Sequence, residues 1–164
     1  MAALPQTPET QRELSEMAKA ALLSHSRDEL FATIHHLVGQ VLPAKLFHIN
    51  LLDPATNEIV VPYRADDITF IPTRRPVDKG MTEYIMRLGK AVHITPDEQD
   101  RLSATGEYTL ASVQNVQRRH YLGAPLIDSQ GRPFGVMSLI LTGDAESFKS
   151  GDAEVLSIIA AQAS

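Results

Sequence analysis

Two apolar segments in the second half of the chain constrain its fold more than any other feature. Residues 119–127 and 134–141 are rich in β-forming side chains, and the six residues between them include Asp128, Gly131 and Pro133. Turn-forming residues between two such segments are typical of a β-hairpin. The chain is therefore expected to contain a sheet with at least one antiparallel pair of strands.

A second hairpin is predicted nearer the start of the chain. Residues 46–52 and 58–63 have the composition of strands, and the residues between them include Asp, Pro and Asn, which favour a turn. Residues 64–77 are predicted to be irregular, because Pro72 and Pro76 interrupt them.

Helices are predicted around and between the two hairpins. Their apolar residues recur at helical spacing and their ends carry capping residues. They are a helix from the capping box at Ser26 to Pro43, a short helix over 81–88 ended by Gly89, a helix capped by Thr95 after a short strand at 91–94, and a closing helix from Gly151. Residues 106–118 are predicted to form a loop. This order favours an α+β fold with a central antiparallel sheet of about six strands and helices on both faces.

The chain is expected to divide into two parts. Residues 1–25 are predicted to form an amphipathic helix, which begins at Thr7 and Pro8 and has one apolar stripe that must pack either on the domain itself or on a partner chain. The stripe consists of Leu14, Met17, Ala18, Ala21 and Leu22. Residues 26–164 form the main domain, whose closing helix reaches Ser164 without a cap. We expect that helix to be truncated before an output domain.

Composition excludes several classes of function. The chain of 164 residues has no cysteine, so disulfides, thiol catalysis and thiolate metal sites are ruled out. A net charge of −5 argues against binding to nucleic acid. The longest apolar stretch, near residues 155–161, is too short to cross a membrane, and the N-terminus does not resemble a signal peptide. A cytoplasmic location without direct membrane insertion is expected.

Four motifs then occur in an order that resembles the GAF family of sensory domains. The first is KLFHINLLD at residues 45–53, and the second is Gly80 with its short helix and the strand AVHI at 91–94. The third joins YLGAPLI at 121–127 to FGVMSL at 134–139, and the fourth places Phe148, Asp152 and Leu156 at the start of the closing helix. The resemblance covers roughly residues 27–164.

This resemblance implies a GAF/PAS-like sheet with a helical layer on one face and a ligand pocket on the other. Such domains bind cyclic nucleotides, tetrapyrroles or small metabolites, or have no known ligand. They usually precede histidine kinase, diguanylate cyclase or phosphodiesterase output domains, as in two-component systems. A shared fold does not identify the ligand.

Departures from the family pattern remove some of these options. Without cysteine the chain cannot attach a bilin covalently, and the methionine sulfoxide reductases that share this fold need reactive cysteines. The cyclic-nucleotide signature of animal phosphodiesterases is incomplete, because Ala153 stands where a glutamate is expected. Neither the ligand nor any cofactor can be named from the sequence.

His48 and Asn50 are the first candidate ligand-binding residues. They alternate with Phe47, Ile49 and Leu51 along one predicted strand, so they share the face away from these apolar side chains. If the apolar residues pack on helices, His48 and Asn50 face the pocket. The equally weighted alternative is a half-exposed strand whose polar side chains are solvated.

Tyr84, His93 and Tyr121 lie where the resemblance places the pocket wall and lid. Aromatic rings with polar tips suit a small-molecule site, although ordinary core positions are twice as common for them. Gly80 begins a helix and follows Arg74, Arg75 and Lys79, so its free N–H groups are candidates for holding a carboxylate or phosphate. Solvated surface charge is the more common explanation of such a group.

No catalytic or metal-binding pattern is present in the sequence. The six histidines lack metal-ligand spacing, and phosphate-binding loops and nucleophile elbows are missing. We therefore expect a non-catalytic, small-molecule-sensing regulatory module that forms a homodimer through its N- and C-terminal helices. The alternative is a structural dimerisation and relay module without a ligand.

Overall fold

The computed structural model describes residues 27–65, 73–108, 119–141 and 147–163, together with Pro8 and Arg12. In chain order the elements are α1 (Arg27–Val41), β1 (Leu46–Asp53), β2 (Glu58–Ala65), β3 (Arg74–Pro76), α2 (Met81–Leu88), β4 (Val92–Ile94), α3 (Pro96–Thr105), β5 (His120–Ile127), β6 (Pro133–Leu141) and α4 (Asp152–Ala163). None of the described helices is long and apolar enough to cross a membrane.

The six strands form one sheet in the order β3-β2-β1-β6-β5-β4. Every neighbouring pair is antiparallel, and the two hairpins, β1–β2 and β5–β6, meet where β1 pairs with β6 at the centre of the sheet. The α1 and α4 helices pack on one face of the sheet, and α2 and α3 pack on the other. The predicted α+β class, with about six antiparallel strands and helices on both faces, is confirmed.

Local turn chemistry explains the predicted boundaries. In the β5–β6 turn, the Asp128 carboxylate accepts hydrogen bonds from the N–H groups of Gln130 and Arg132, and Gly131 takes the left-handed conformation with φ of 79°. Gly89 ends α2 in the same conformation, and the Thr95 hydroxyl caps α3 by accepting the Glu98 N–H.

The prediction of an irregular segment at residues 64–77 was partly wrong. The β2 strand continues to Ala65, and Arg74–Pro76 forms a short edge strand beside β2. Pro76 is tolerated because an edge strand leaves one row of N–H groups unpaired. The Arg74 guanidinium holds this edge through Asp53 and Glu58, at 3.2 and 3.0 Å. Those contacts join distant parts of the chain, so local sequence pattern could not reveal them.

Two other predictions fall mainly outside the described residues. Pro8 and Arg12 are helical and exposed, but the apolar stripe of the predicted N-terminal helix lies outside the described part of the chain. The same is true of residues 109–118, which are most of the predicted loop.

Two hydrophobic cores lie on opposite faces of the sheet. The larger one, the α1/α4 core, includes Phe47 and Ile49 of β1 and packs against α1 and α4. The smaller one, the α2/α3 core, consists of Met81, Ile85, Ile94, Leu102, Tyr108 and Val136, with Tyr84 and Tyr121 packed against it. Alternate residues along β6 serve the two cores, as the pleat of a strand requires.

The α2 helix lies very close to the sheet at Gly123. A Cβ atom at this position would lie 2.3 Å from the Ile85 Cδ1 atom and 3.5 Å from Val136. Since Ile85 is completely buried, its side chain has little room to move away. The missing side chain at Gly123 therefore sets the distance between α2 and β5.

An ion pair joins β3 to α2. The Arg75 guanidinium donates to both carboxylate oxygens of Glu83, at 2.5 and 2.9 Å, and the Asp78 N–H donates to the same carboxylate. Burial alone would raise the pKa of Glu83, but the hydrogen bonds from Arg75 and the backbone outweigh it and hold that pKa below its ordinary value. The pair fixes one end of α2 to the sheet edge.

Adding a methyl group at Gly123 should destabilise the protein. We expect Gly123→Ala to lower the free energy of unfolding by about 1–3 kcal/mol, because the core is already filled there. Denaturant unfolding would measure the loss, and adding Ile85→Val should recover part of it by shortening the opposing side chain. Gly39→Ala, at an exposed position of α1, is the control, since its new Cβ meets only Ala44 at 3.8 Å. Equal effects of G123A and G39A would refute the close-packing argument.

Replacing Glu83 should destabilise the protein in a pH-dependent way. Glu83→Gln leaves Arg75 without its carboxylate, and we expect a loss of about 2 kcal/mol near neutral pH. The folded pKa of Glu83 is lowered, so its contribution is present above the ordinary carboxyl pKa and disappears as pH falls through the folded value. Unfolding curves of the wild type and E83Q should therefore converge in acid. Glu98→Gln, which breaks an exposed pair with Arg101, should have a much smaller effect.

Candidate functional site

Two buried polar side chains lie on the central strand β1. Phe47 and Ile49 point into the α1/α4 core, so His48 and Asn50 lie on the opposite face, toward α2 and α3. His48 is 7% exposed and Asn50 is 6% exposed. The alternative of a half-exposed strand with solvated polar side chains therefore does not describe this position.

The neighbouring strands add further polar groups to the same face. His48 pairs with Ser138 of β6 on one side and with Arg64 of β2 on the other. Ser138 is completely buried, and its hydroxyl has no hydrogen-bond partner in the part of the chain that the structure describes. Asn50 pairs with Val136, which belongs to the α2/α3 core. A polar patch thus borders an apolar one beneath α2.

Two predicted tyrosines also lie on this side of the sheet. Tyr121 pairs with Ile94 and Ile140, and both Tyr121 and Tyr84 pack against the α2/α3 core. Burial raises the pKa of Tyr121, and the nearby Ser138 hydroxyl opposes that rise without reaching hydrogen-bond geometry. We refer to His48, Asn50, Ser138 and Tyr121 as the polar face.

Gly80 lies at the start of α2, where the sequence raised the option of an anion site. Its conformation is extended, with φ of −80° and ψ of 175°, and no side chain caps the helix there. The chain supplies its own carboxylate at this end, since Glu83 binds Arg75 and the Asp78 N–H. A Cβ at Gly80 would lie 2.6 Å from the Arg75 Nη2 atom and 2.7 Å from the Glu83 Oε2 atom. Gly80 therefore makes room for the internal ion pair.

His93 lies apart from the other predicted residues. It pairs with Leu122, which belongs to the α1/α4 core, and its ring packs edge-on against Phe148 at a centroid distance of 5.4 Å. Its neighbours Val92 and Ile94 pack with the α2/α3 core instead. The structure thus brings His48, Asn50, Tyr84 and Tyr121 to one side of the sheet and places His93 on the other.

Sequence reasoning missed three residues of this region: Ser138, Glu83 and Tyr108. Ser138 alternates with Met137 and Leu139 in an otherwise apolar strand, which was a usable indication of a polar position. Glu83 occupies the third helical position after Gly80, where a carboxylate commonly accepts backbone N–H groups. Tyr108 follows α3 in the α2/α3 core, and burial raises its pKa to about 12. No local pattern could have placed Tyr108 there.

Other possible sites in the described residues do not involve the predicted set. One cleft of about 180 Å³ lies between Gly89 and Ser157, and another of about 370 Å³ lies along α1 beside His36. Neither is lined by any of the six residues predicted from sequence. Among the described residues, no three histidine or carboxylate side chains are grouped to hold a metal ion. The polar face and the adjoining tyrosines hold four of the six predicted residues, and together they form the candidate site.

Solved structures of similar fold are numerous but distant in sequence. The GAF domain of an Acinetobacter phosphoenolpyruvate-protein phosphotransferase has a TM-score of 0.71 and 13% identity, covering 96% of this chain and 91% of that one. The free methionine-R-sulfoxide reductase of Neisseria meningitidis, in complex with its substrate, has a TM-score of 0.68 and 16% identity, covering 99% and 92%. A methyl-accepting chemotaxis protein, over its residues 122 to 287, has a TM-score of 0.67 and 17% identity, covering 92% of both chains. Such identities support the fold alone.

Comparison at the level of sequence families is more decisive. No curated protein matches the chain. The family model described as GAF domain matches residues 26–164, which include every described strand and helix from α1 to α4. The chain therefore belongs to the GAF domain family, whose fold is a regulatory and sensory one.

Proposed function

We propose that this GAF domain is a non-catalytic sensory module that binds a small molecule at its polar face. The observation that carries the proposal is the buried Ser138 hydroxyl, which has no hydrogen-bond partner among the described residues. A buried polar group left unpaired costs about 1–3 kcal/mol. A ligand with a hydrogen-bonding group would remove that cost, and His48, Asn50 and Tyr121 would give it further polar contacts.

The neighbouring apolar cluster supports the same proposal. Small-molecule sites in proteins are mainly apolar, with a few polar groups that orient the ligand. Here Val136 and Ile94 lie beside the polar face, and Tyr84 packs against the same cluster from α2. A ligand bound on β1 and β6 beside α2 would meet both kinds of surface. We infer that Tyr84 and Tyr121 contribute to its wall and that Gly80 acts indirectly, through the Arg75–Glu83 pair.

An enzymatic role is the main competing class, because some structural relatives are methionine sulfoxide reductases solved with their substrate. This chain has no cysteine, so it offers no thiol as a nucleophile or reductant. Other relatives are parts of a phosphotransferase and of a chemotaxis protein. We infer a regulatory function in a cytoplasmic signalling protein, which includes an output domain of the kinase, cyclase or phosphodiesterase type.

The route from ligand to output runs through β5 in this proposal. Tyr121 lies on one face of β5, while Leu122 and Ala124 on its other face belong to the core that contains α4. A ligand that favours one position of β5 would favour one packing of α4. We further propose that residues 1–25 and α4 form the interface of a homodimer, with residues 26–164 as the sensory domain. Paired helices would then carry the change to the output domain.

The first experiment is native mass spectrometry of the purified chain, followed by measurement under denaturing conditions. An added mass that disappears on denaturation would support a bound ligand and limit its class. The same spectra report the dimer. A clean dimer without added mass, and no stabilisation by any metabolite tested, would favour the structural dimerisation and relay module instead. A monomer at all concentrations would contradict the proposed interface.

Ser138→Ala provides a sharper test of the site. We expect this variant to raise the melting temperature of the ligand-free chain by roughly 2–4 °C, because it removes an unpaired buried hydroxyl worth about 1 kcal/mol. The same variant should retain less of any bound ligand in native spectra. Ser129→Ala, at an exposed position of the β5–β6 turn, is the matched control and should change neither quantity. A lower melting temperature for S138A, with ligand retention unchanged, would remove the support for this site.

A further inference from the structure

Two histidines face each other on the side of the sheet opposite the polar face. The His93 Nε2 atom of β4 lies 2.9 Å from the His120 Nδ1 atom of β5. The ring centroids are 5.2 Å apart, so the two nitrogens lie near the line that joins the rings and point at each other. This geometry is that of a hydrogen bond between two imidazoles, in which one nitrogen carries the hydrogen and the other accepts it.

The segment that leads into α4 packs against this pair. The Phe148 ring contacts His93 edge-on, and the Ser147 Oγ atom lies 3.4 Å from the His120 Nδ1 atom. Asp152, the first residue of α4, accepts the Lys149 N–H at 2.7 Å, and its charge acts on His93. The histidine pair therefore lies where β4 and β5 meet the start of the closing helix.

The same geometry disfavours a metal site at this pair. A metal ion would need the two nitrogen lone pairs to converge on a third point, whereas these nitrogens are directed at one another. No third histidine or carboxylate completes such a site among the described residues. The group that fits between the rings is a proton.

The number of protons decides whether the contact between the rings persists. With both rings neutral, a single N–H joins them, and one added proton still leaves an N–H group facing a free lone pair. When both rings are protonated, two N–H groups and two positive charges face each other, so the bond is lost and the rings repel. Only the doubly protonated pair, which acid favours, breaks the contact.

We propose that His93 and His120 form a proton-sensitive latch that joins β4 to β5 beneath the segment leading into α4, and that acidification opens this latch and loosens the packing of that segment. This latch is independent of the ligand site on the other face. On the proposed function, in which α4 precedes an output domain, pH would thereby affect the packing at the start of that helix. Histidine is suited to this role because its ordinary pKa lies in the physiological range.

The charged and polar groups around the pair set the pH at which the latch opens. Burial lowers the pKa of His93, His120 lowers it further, and Asp152 on α4 opposes both. Phe148 offers no charge, and Ser147 offers only a hydroxyl. Since the folded pKa of His93 lies below its ordinary value of 6.5, its contribution to stability is fully present above 6.5 and is lost as pH falls through the lower, folded pKa.

The test compares the wild-type chain with His93→Gln at two pH values, about 7.5 and about 5.5. Glutamine keeps a hydrogen-bonding side chain but cannot gain a proton in this range. We expect the fall in melting temperature on acidification to be smaller in H93Q by roughly 2–4 °C. His120→Gln should behave in the same way. The test therefore still decides if one of the two variants fails to fold. His36→Gln, on the exposed side of α1, is the control for loss of one histidine and should keep the full fall.

Hydrogen exchange locates the effect. At the acidic pH, amides at residues 147–156 should exchange several-fold faster in the wild type than in H93Q. Because both proteins are compared at one pH, the effect of pH on the intrinsic exchange rate is the same for both. A nitrogen-15 titration of the imidazoles should show two coupled steps, one of them below the ordinary histidine pKa. Independent titration of the two rings, or equal acid sensitivity in the wild type and both variants, would overturn the latch.

Discussion

The alternation of side chains along β1 and β6 is the constraint on which the rest of this structure depends. These two strands pair at the centre of the sheet, and each sends successive residues to opposite faces. Phe47 and Met137 thereby build the core under α1 and α4, while His48 and Ser138 are directed toward α2. A shift of one residue in this pairing would exchange the faces and bury the wrong set.

The same alternation places residues of the two proposed sites on opposite faces of the sheet, although these residues are close in the sequence. Along β5, His120 is directed toward α4 and Tyr121 toward α2, although they are adjacent residues. One strand therefore carries part of the proposed proton-sensitive latch on one face and part of the proposed ligand site on the other. Since α4 packs on β5, the closing helix contacts the first of these faces directly and the second only through that strand.

Much of the architecture followed from local pattern. Both hairpins, the caps at Thr95 and Gly89, and the six-stranded α+β class were predicted, because turn residues and apolar periodicity act over short distances. The edge strand at Arg74–Pro76 was not predicted, since two arginines and a proline do not have the composition of a strand. Its place depends on the contacts of Arg74 with Asp53 and Glu58, and contacts between distant residues cannot be predicted from local sequence pattern.

For the site, the sequence by itself determined that His48 and Asn50 share a face away from Phe47 and Ile49, because a strand alternates whatever surrounds it. It also determined that thiol chemistry is unavailable. Only the tertiary structure decided that Ser138 joins His48 on that face, and that His93 meets His120 on the other. Strand register and helix placement bring distant residues together, and both are set by how the whole chain packs.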